Sequence, residues 1–292
     1  DETVENLKAQ LSNHNIDLLV YHEHPEEIIP SICETYDVSN IYLQKEWTQE
    51  EVDVENAVKE KVNNVSWHHI YNQFLYHPED INFEIHQTPQ VFTVFRKKLE
   101  KYIAIRHEST IKKQSQNNRI ENETKIPSLT DLGFEDFETH THSAFPFKGG
   151  ETKALQRLED YFFNTKKLGF YKKTRNGLIG KDYSSKFSPW LANGSISART
   201  IYWNVKQFEK EFYNNESTYW HIFELIWRDY FKYISLKHGN QIFKLEGILN
   251  KDYNWSTNQT QIQQWINGET ASDFVNANMI ELKETGWMSN RG

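Results

Sequence analysis

The 292-residue chain has a single cysteine, Cys33. That excludes an internal disulfide and any zinc site built from cysteines, and it fits a reducing compartment. No apolar run approaches the length of a membrane span and no signal peptide is visible. The expectation is a cytoplasmic, bacterial-type protein without membrane association, with organelle targeting left open as the alternative. There is no glycine-rich phosphate loop, so a dinucleotide fingerprint is absent. His22, His24, His68, His69, His77 and His86 carry no HExxH or similar helical spacing, and no metal site is expected. Hydrophobic residues are scarce at 37%, yet aromatic residues reach 14%. A core must therefore form through ring area rather than aliphatic bulk, and the chain folds. It opens on Asp1 rather than Met and closes on Asn290-Arg291-Gly292, so both ends look cut.

Charge is present but uneven. Residues 1–107 carry nine Lys/Arg against nineteen Asp/Glu, a balance of -10. Residues 164–210 carry ten Lys/Arg against two Asp/Glu, a balance of +8. A basic segment beside an acidic half suits a surface that meets a polyanion, although a solvated basic face is the commoner case.

Periodicity divides the chain. Val4, Leu7 and Leu11 predict a helix; Ile16–Tyr21 reads as a buried strand; Pro25 opens a helix with Ile28, Ile29 and Ile32 on its buried face. Asn40–Gln44 reads as a strand, Glu50–Val62 as a helix, Val65–Leu75 as one or two strands, and Thr88 to about Arg106 as a helix. Alternating strands and helices with short joins predict a parallel, Rossmann-like α/β sheet over 1–106, lacking its first strand and helix. Residues 107–150 are polar and aperiodic, and read as an interdomain linker. From 151 to 292 only helices are predicted: one marked by Leu155, Leu158 and Phe162, one by Ile201, Val205, Phe208 and Phe212, then Tyr219–Tyr233, a short one at Ile262–Ile266, and Phe274–Leu282. Lys166–Lys186 between them reads as a basic loop. This half holds seven of the nine tryptophans, of which Trp265 and Trp287 read as core.

The helix over Tyr219–Tyr233, with Ser217 as its predicted N-cap, organises the second half. Glu224 and Arg228 stand four apart, one turn from each other. Trp220, Glu224, Trp227 and Arg228 share much of one side. A tryptophan-rich helix is ordinarily packed core, and Glu/Arg pairs at this spacing are common surface features. Two indoles beside a carboxylate and a guanidinium also suit a cavity for a flat ligand with polar edges. Ser184, Ser185, Lys186 and Ser188 put hydroxyls, peptide N–H groups and one cation in a short stretch, which is good chemistry for a diphosphate.

Several stretches together resemble the photolyase/cryptochrome family: Tyr171 with Arg175, Tyr183-Ser184-Ser185-Lys186-Phe187-Ser188-Pro189-Trp190, Glu224-Leu225-Ile226-Trp227-Arg228-Asp229, and Thr285-Gly286-Trp287-Met288-Ser289-Asn290-Arg291. Leu75-Tyr76-His77-Pro78-Glu79-Asp80, Val91–Lys98 and Phe147-Lys148-Gly149-Gly150-Glu151 narrow the resemblance to its DASH cryptochromes. The resemblance spans nearly the whole chain. It implies an α/β antenna domain, a long linker and a helical FAD-binding domain. It implies a blue-light-driven flavoprotein, of deoxyribodipyrimidine photo-lyase type, that splits cyclobutane pyrimidine dimers in mainly single-stranded DNA by electron transfer from excited, reduced FAD.

The resemblance also implies roles. Tyr171, Ser184, Ser185, Lys186, Phe187, Ser188, His221, Glu224, Arg228 and Asn290 would contact FAD. Glu224, Trp227 and Asn290 would serve the lesion, with Arg175, Arg228 and Arg291 completing the DNA contacts. Trp255 matches the outer member of a tryptophan electron relay whose inner members lie beyond Gly292. Glu46 falls near a folate-contacting acid, implying 5,10-methenyltetrahydrofolate as antenna. A monomer is expected. Two alternatives stay open: a blue-light photoreceptor that binds DNA and signals without significant repair, and a helical nucleic-acid-binding module with no cofactor.

Overall fold

The computed structural model describes residues 1–292. In its first part three helices, α1 (Glu2–Asn13), α2 (Pro25–Thr35) and α3 (Gln49–Lys61), accompany two strands, β1 (Asn40–Gln44) and β2 (Ser66–Ile70). The strands pair in parallel, with Asn40 opposite Ser66 and Gln44 opposite Ile70, and α3 makes the crossover between them. A parallel pair needs such a crossover because its strands run the same way. The α/β character predicted for the first part is thus present as a small parallel sheet.

Ile16–Tyr21 is not a strand. Its backbone groups are taken instead by the polar segment near residue 120: Asn122 donates to the Leu18 carbonyl at 2.8 Å, and the Val20 N–H donates to the Thr124 hydroxyl at 3.0 Å. Asp17 accepts from the Arg119 guanidinium and from the Ile120 N–H at 2.9 Å. An apolar run with its hydrogen bonds met this way stays extended without joining a ladder.

The helix predicted from Thr88 is shorter at both ends, α4 (Phe92–Tyr102), with Phe95 and Leu99 fully buried. The second part begins with a helix that runs into a widened turn. α5 (Glu151–Glu159) opens after Gly149-Gly150, where α1 lies so close that a Cβ on Gly150 would meet the Asn6 side chain at 2.7 Å. Beyond Glu159 the coil loosens into a π-turn over Asp160–Asn164, rather than continuing as α-helix through Phe162. That extra residue per turn buries Tyr161 and Phe162 completely. The segment predicted as a basic loop contains a 3-10 turn at Lys167–Phe170 and α6 (Tyr171–Thr174). α7 (Ser188–Ala192), α8 (Ala198–Glu211), α9 (Glu216–His238), α10 (Gln259–Asn267) and α11 (Asp273–Thr285) complete the chain, with no strand among them.

α9 is the central rod. Its N-cap is Asn215, not Ser217: the Asn215 side chain accepts from the Ser217 and Thr218 N–H groups, and Thr218 returns a bond to the Asn215 backbone. This reciprocal capping satisfies N–H groups that the helix itself leaves free. One face packs Ile222, Leu225 and Ile226 into the core with Trp190, Ile201 and Val205. Another face grips the first part of the chain. Asp229, wholly buried, accepts from the Leu75 N–H and from the Tyr76 N–H at 2.7 Å. The Tyr233 hydroxyl donates to the Tyr76 carbonyl at 2.8 Å, and the Trp47 indole donates to Ser235 at 2.8 Å.

Candidate functional site

A cavity of about 650 Å³ lies against α9 and is walled by α6, the stretch 183–188, α7 and residues 287–290. Tyr171, Arg175, Ser184, Ser185, Lys186, Phe187, Ser188, His221, Glu224, Trp227, Arg228 and Asn290 all line it. Residues scattered over 120 positions of sequence thus meet at one place. Trp220, Trp255, Glu46 and Arg291 are not on its wall.

His221 sits at the floor. It is buried and boxed by rings: Tyr171 at 4.8 Å between centroids, Phe162 edge-on at 5.3 Å and Phe187 at 5.8 Å. Its Nε2 shares a 3.0 Å hydrogen bond with the Ser185 hydroxyl. Burial among these rings drives its pKa down to about 3, so the imidazole is neutral at physiological pH. Lys186 has left-handed backbone, with φ of 65°, and Phe187 returns to the right-handed region. That alternation turns successive N–H groups to one side and makes an anion-binding concavity. The Lys186 ammonium, 3% exposed, lies 3.4 Å from the Tyr183 ring centroid and 4.5 Å from that of Trp287. Burial lowers its pKa to about 7, against the attraction of Glu281.

Four buried polar atoms of cavity-lining residues have no partner: Lys186 Nζ, Tyr183 Oη, His221 Nδ1 and Trp287 Nε1. Unpaired buried polar groups are expensive and rare. Three of them are donors and one is a ring nitrogen, and all four are sealed from solvent just behind the cavity wall. Trp287 is therefore wall rather than core. One face is stacked on Phe145 at 5.4 Å and 6°, and its indole N–H remains free. Trp265 is no core residue either, being 52% exposed.

The Glu224–Arg228 pair suggested by their spacing does not form. Glu224 is bound by the Arg175 guanidinium, which also stacks over Trp220 at 4.7 Å. Arg228 donates instead to the carbonyls of Gln73 at 2.7 Å and Leu191 at 3.1 Å. Two carbonyls thus take the guanidinium in place of a carboxylate one turn away. Burial raises the Glu224 pKa, partly offset by Arg175 and Arg291. Trp220 faces the Arg175 and Lys172 side chains outside the cavity. Trp227 lies flat on Phe92, centroids 3.5 Å apart and planes 9° apart, and has Phe231 on another side at 5.5 Å.

Other positions lie apart. Arg291 is exposed and donates to Asn176 at 2.8 Å. Trp255 is 61% exposed, with its N–H directed at the Leu245 carbonyl. Glu46 borders a separate cavity of about 170 Å³ between α2, α3 and β1. Sequence reasoning did not single out Phe231, Lys232, Met288 or Ser289 as wall residues. Phe231 and Lys232 continue the cavity side of α9 one turn past Trp227 and Arg228, a periodicity that could have found them.

Residues 1–115 match the DNA photolyase family, and residues 220–292 match the FAD binding domain of DNA photolyase. The chain is 43% identical over 297 residues to cryptochrome DASH of Synechocystis sp., covering 100% of this chain and 60% of the relative. It is 43% identical over 297 residues to cryptochrome DASH of Xenopus laevis, covering 57% of that protein. The chain thus spans about 60% of the length of the curated relatives it matches. The crystal structure of the Synechocystis sp. cryptochrome superposes with a TM-score of 0.92 at 42% identity, over 99% of this chain and 60% of that one. A class III photolyase from Agrobacterium tumefaciens shares the fold at 19% identity with a TM-score of 0.81, over 99% of this chain and 60% of that one. No helix is long and apolar enough to cross a membrane.

Proposed function

The chain belongs to the photolyase/cryptochrome family, and from that premise we propose that it is the flavin-holding part of a DASH-type cryptochrome that repairs cyclobutane pyrimidine dimers, mainly in single-stranded DNA. The observation that carries the reading is one 650 Å³ cavity at which the stretch Ser184–Ser188, with N–H groups that no other group of the chain accepts, meets Glu224, Arg228 and Asn290 from distant segments. FAD, when bound, supplies the absorption of blue light and the electron that opens the dimer; the protein supplies position and electrostatics.

In this reading the stretch Ser184–Ser188 and the Lys186 ammonium hold the diphosphate, Tyr171 and neutral His221 pack beneath it, and Arg228 and Asn290 border the flavin. Glu224 stands at the lesion side, where a carboxyl can hydrogen-bond a pyrimidine edge and favour the charge that develops on it. For that, Arg175 must share or release Glu224. Phe92 already covers one face of Trp227, so the indole offers a flipped base its remaining exposed edge and face rather than a free two-sided platform. Flipping is least expensive for a damaged or single-stranded base. Arg175 and Arg291, with the basic run 164–210, would follow the phosphate backbone.

The finer assignments belong to the same proposal. We divide the chain into an antenna domain (1–106), a linker (107–150) and an FAD-binding domain (151–292). Trp255, exposed and not on the cavity wall, suits the outer end of an electron relay. A 5,10-methenyltetrahydrofolate antenna would sit beside Glu46, but the cavity there is below the usual size of a ligand pocket, so the support is the carboxylate alone. A monomeric, cytoplasmic protein completes the reading.

The test has two stages. The purified protein should carry flavin absorbance after reconstitution with FAD; a protein that takes up no flavin defeats every light-driven reading. Under blue light it should then restore dimer-containing oligonucleotides, single strands faster than duplexes. Flavin uptake without repair would point to the signalling alternative.

A further inference from the structure

Arg157 lies outside the cavity and outside every motif considered above, yet it is among the most completely bonded groups in the chain. It is 3% exposed. Its Nε donates to the Ser185 carbonyl at 3.2 Å. One terminal nitrogen donates to Asp160 and to Asp182, each at 3.0 Å. The other donates to the carbonyls of Lys181 at 3.0 Å and Ser184 at 3.2 Å. A guanidinium has five N–H groups, and all five are matched. Its two faces are filled by the rings of Phe147 and Tyr161, each centroid 4.9 Å from the guanidinium carbon. Four of the five bonds go to the segment Lys181–Ser185. The fifth goes to Asp160, which opens the π-turn.

We propose that Arg157 is the positioning residue of the diphosphate-binding stretch: it draws the carbonyls of Lys181, Ser184 and Ser185 to the side away from the cavity and so presents the N–H groups and hydroxyls of Ser184–Ser188 to an anionic ligand. This rests on the reading that the cavity takes FAD. Two observations support the geometry. None of the N–H groups of Ser184, Ser185, Lys186 and Phe187 donates to another group of the chain, so that side of the stretch is unsatisfied while its carbonyls are held. Lys186 is held left-handed, a conformation a non-glycine residue keeps only when its surroundings over-determine it. Asp182 strengthens the hold. Burial alone would raise its pKa, but the bonds from Lys167 and Arg157 outweigh that and keep the carboxyl below its ordinary value, hence ionised.

A lysine at this position has the charge but only three donors on one atom and no planar fork, so it cannot make the five bonds to three carbonyls and two carboxylates. The experiment compares Arg157→Lys with the unaltered protein for binding of FAD, ADP and riboflavin by calorimetry, with urea unfolding of each. The expected result is at least tenfold weaker binding of FAD and ADP, with riboflavin, which lacks the diphosphate, unchanged. A residue that merely supports the fold would weaken all three together and lower the unfolding midpoint, which would overturn the proposal. Equal affinity of both proteins for FAD and ADP overturns this inference alone. Unaltered protein that binds neither FAD nor ADP overturns the cofactor reading and this inference together. If Arg157→Lys does not fold, Asp182→Asn carries the test at a half-exposed position: a several-fold loss for ADP with riboflavin unchanged supports the role, and unchanged ADP affinity refutes it.

Discussion

Replacing Lys186 by methionine should make the empty protein more stable and the flavin complex weaker. The unfolded amine keeps its proton up to about pH 10.5, whereas the buried one gives it up near 7. Between those values the unfolded chain binds more protons, so stability rises with pH across the window. Below 7 the whole penalty of the buried charge is present, and above 10.5 it vanishes. The displacement corresponds to roughly 5 kcal/mol at pH 6, at about 1.4 kcal/mol per pH unit, and to about 2 kcal/mol at pH 9. Methionine fills the space between the Tyr183 and Trp287 rings without that charge and makes its own sulfur–aromatic contacts. Urea unfolding of Lys186→Met without ligand should therefore show a gain at pH 6 that shrinks by pH 9. Binding of a diphosphate reverses the balance, because the lysine must be protonated to serve it. The affinity of the unaltered protein for FAD should fall about tenfold per pH unit above 7, until the lysine's pKa in the complex is reached. Lys186→Met should lose that dependence and bind more weakly at pH 6 by roughly 1.5–3 kcal/mol, the loss of a charge-assisted hydrogen bond. A flat FAD affinity from pH 7 to 9, or a variant that is less stable than the original at pH 6, refutes the reasoning.

Three further outcomes follow from the geometry. Glu224→Gln should leave flavin absorbance intact and reduce light-driven repair about tenfold or more, with the loss in the repair yield rather than in FAD uptake; undiminished repair at saturating light removes Glu224 from the lesion site. Trp227→Ala should weaken binding of a dimer-containing single strand by roughly 1–3 kcal/mol relative to an undamaged strand, measured by fluorescence anisotropy. An equal loss on both strands would reduce Trp227 to a packing partner of Phe92. His221, with its pKa lowered to about 3 by burial, carries no penalty while neutral but costs stability increasingly as pH falls from about 6.5 toward 3, where only the unfolded chain takes up the proton, and its ring protons should show no NMR titration between pH 5 and 8.

What could be read in advance follows the range of the forces involved. α3, α8 and α11 lie within a few residues of where apolar periodicity puts them, although only α8 carries its stripe into the core, through Ile201, Val205 and Phe208, while Phe274, Ile280 and Leu282 of α11 stay exposed. The cavity wall was legible as motifs, since diphosphate-type chemistry and the α9 spacing are both local. Partner choice was not. Spacing alone makes Arg228 the natural mate of Glu224, but Gln73 and Leu191, far off in sequence, bring carbonyls that claim it. Trp287 and Trp265 have the composition of core residues and lie on a cavity wall and at the surface. Ile16–Tyr21 has the composition of a strand, yet a ladder needs a neighbour, and here the polar segment from Arg119 to Thr124 meets it first. Arg157 carried no signal at all: an arginine on an amphipathic helix looks like any surface arginine until the stretch it holds is folded against it.

Arg228 and Asp229 are neighbours on α9 that face in different directions, one to the ligand cavity and one to the peptide groups of Leu75 and Tyr76. Both also anchor to the segment 73–76, so the chamber and the seat of the sheet-bearing half share one beam. Nothing can tilt that beam to widen the chamber without loosening the seat. A substitution at Asp229, which is not on the chamber wall, would loosen the Leu75–Tyr76 seat beside the Gln73 carbonyl that holds Arg228.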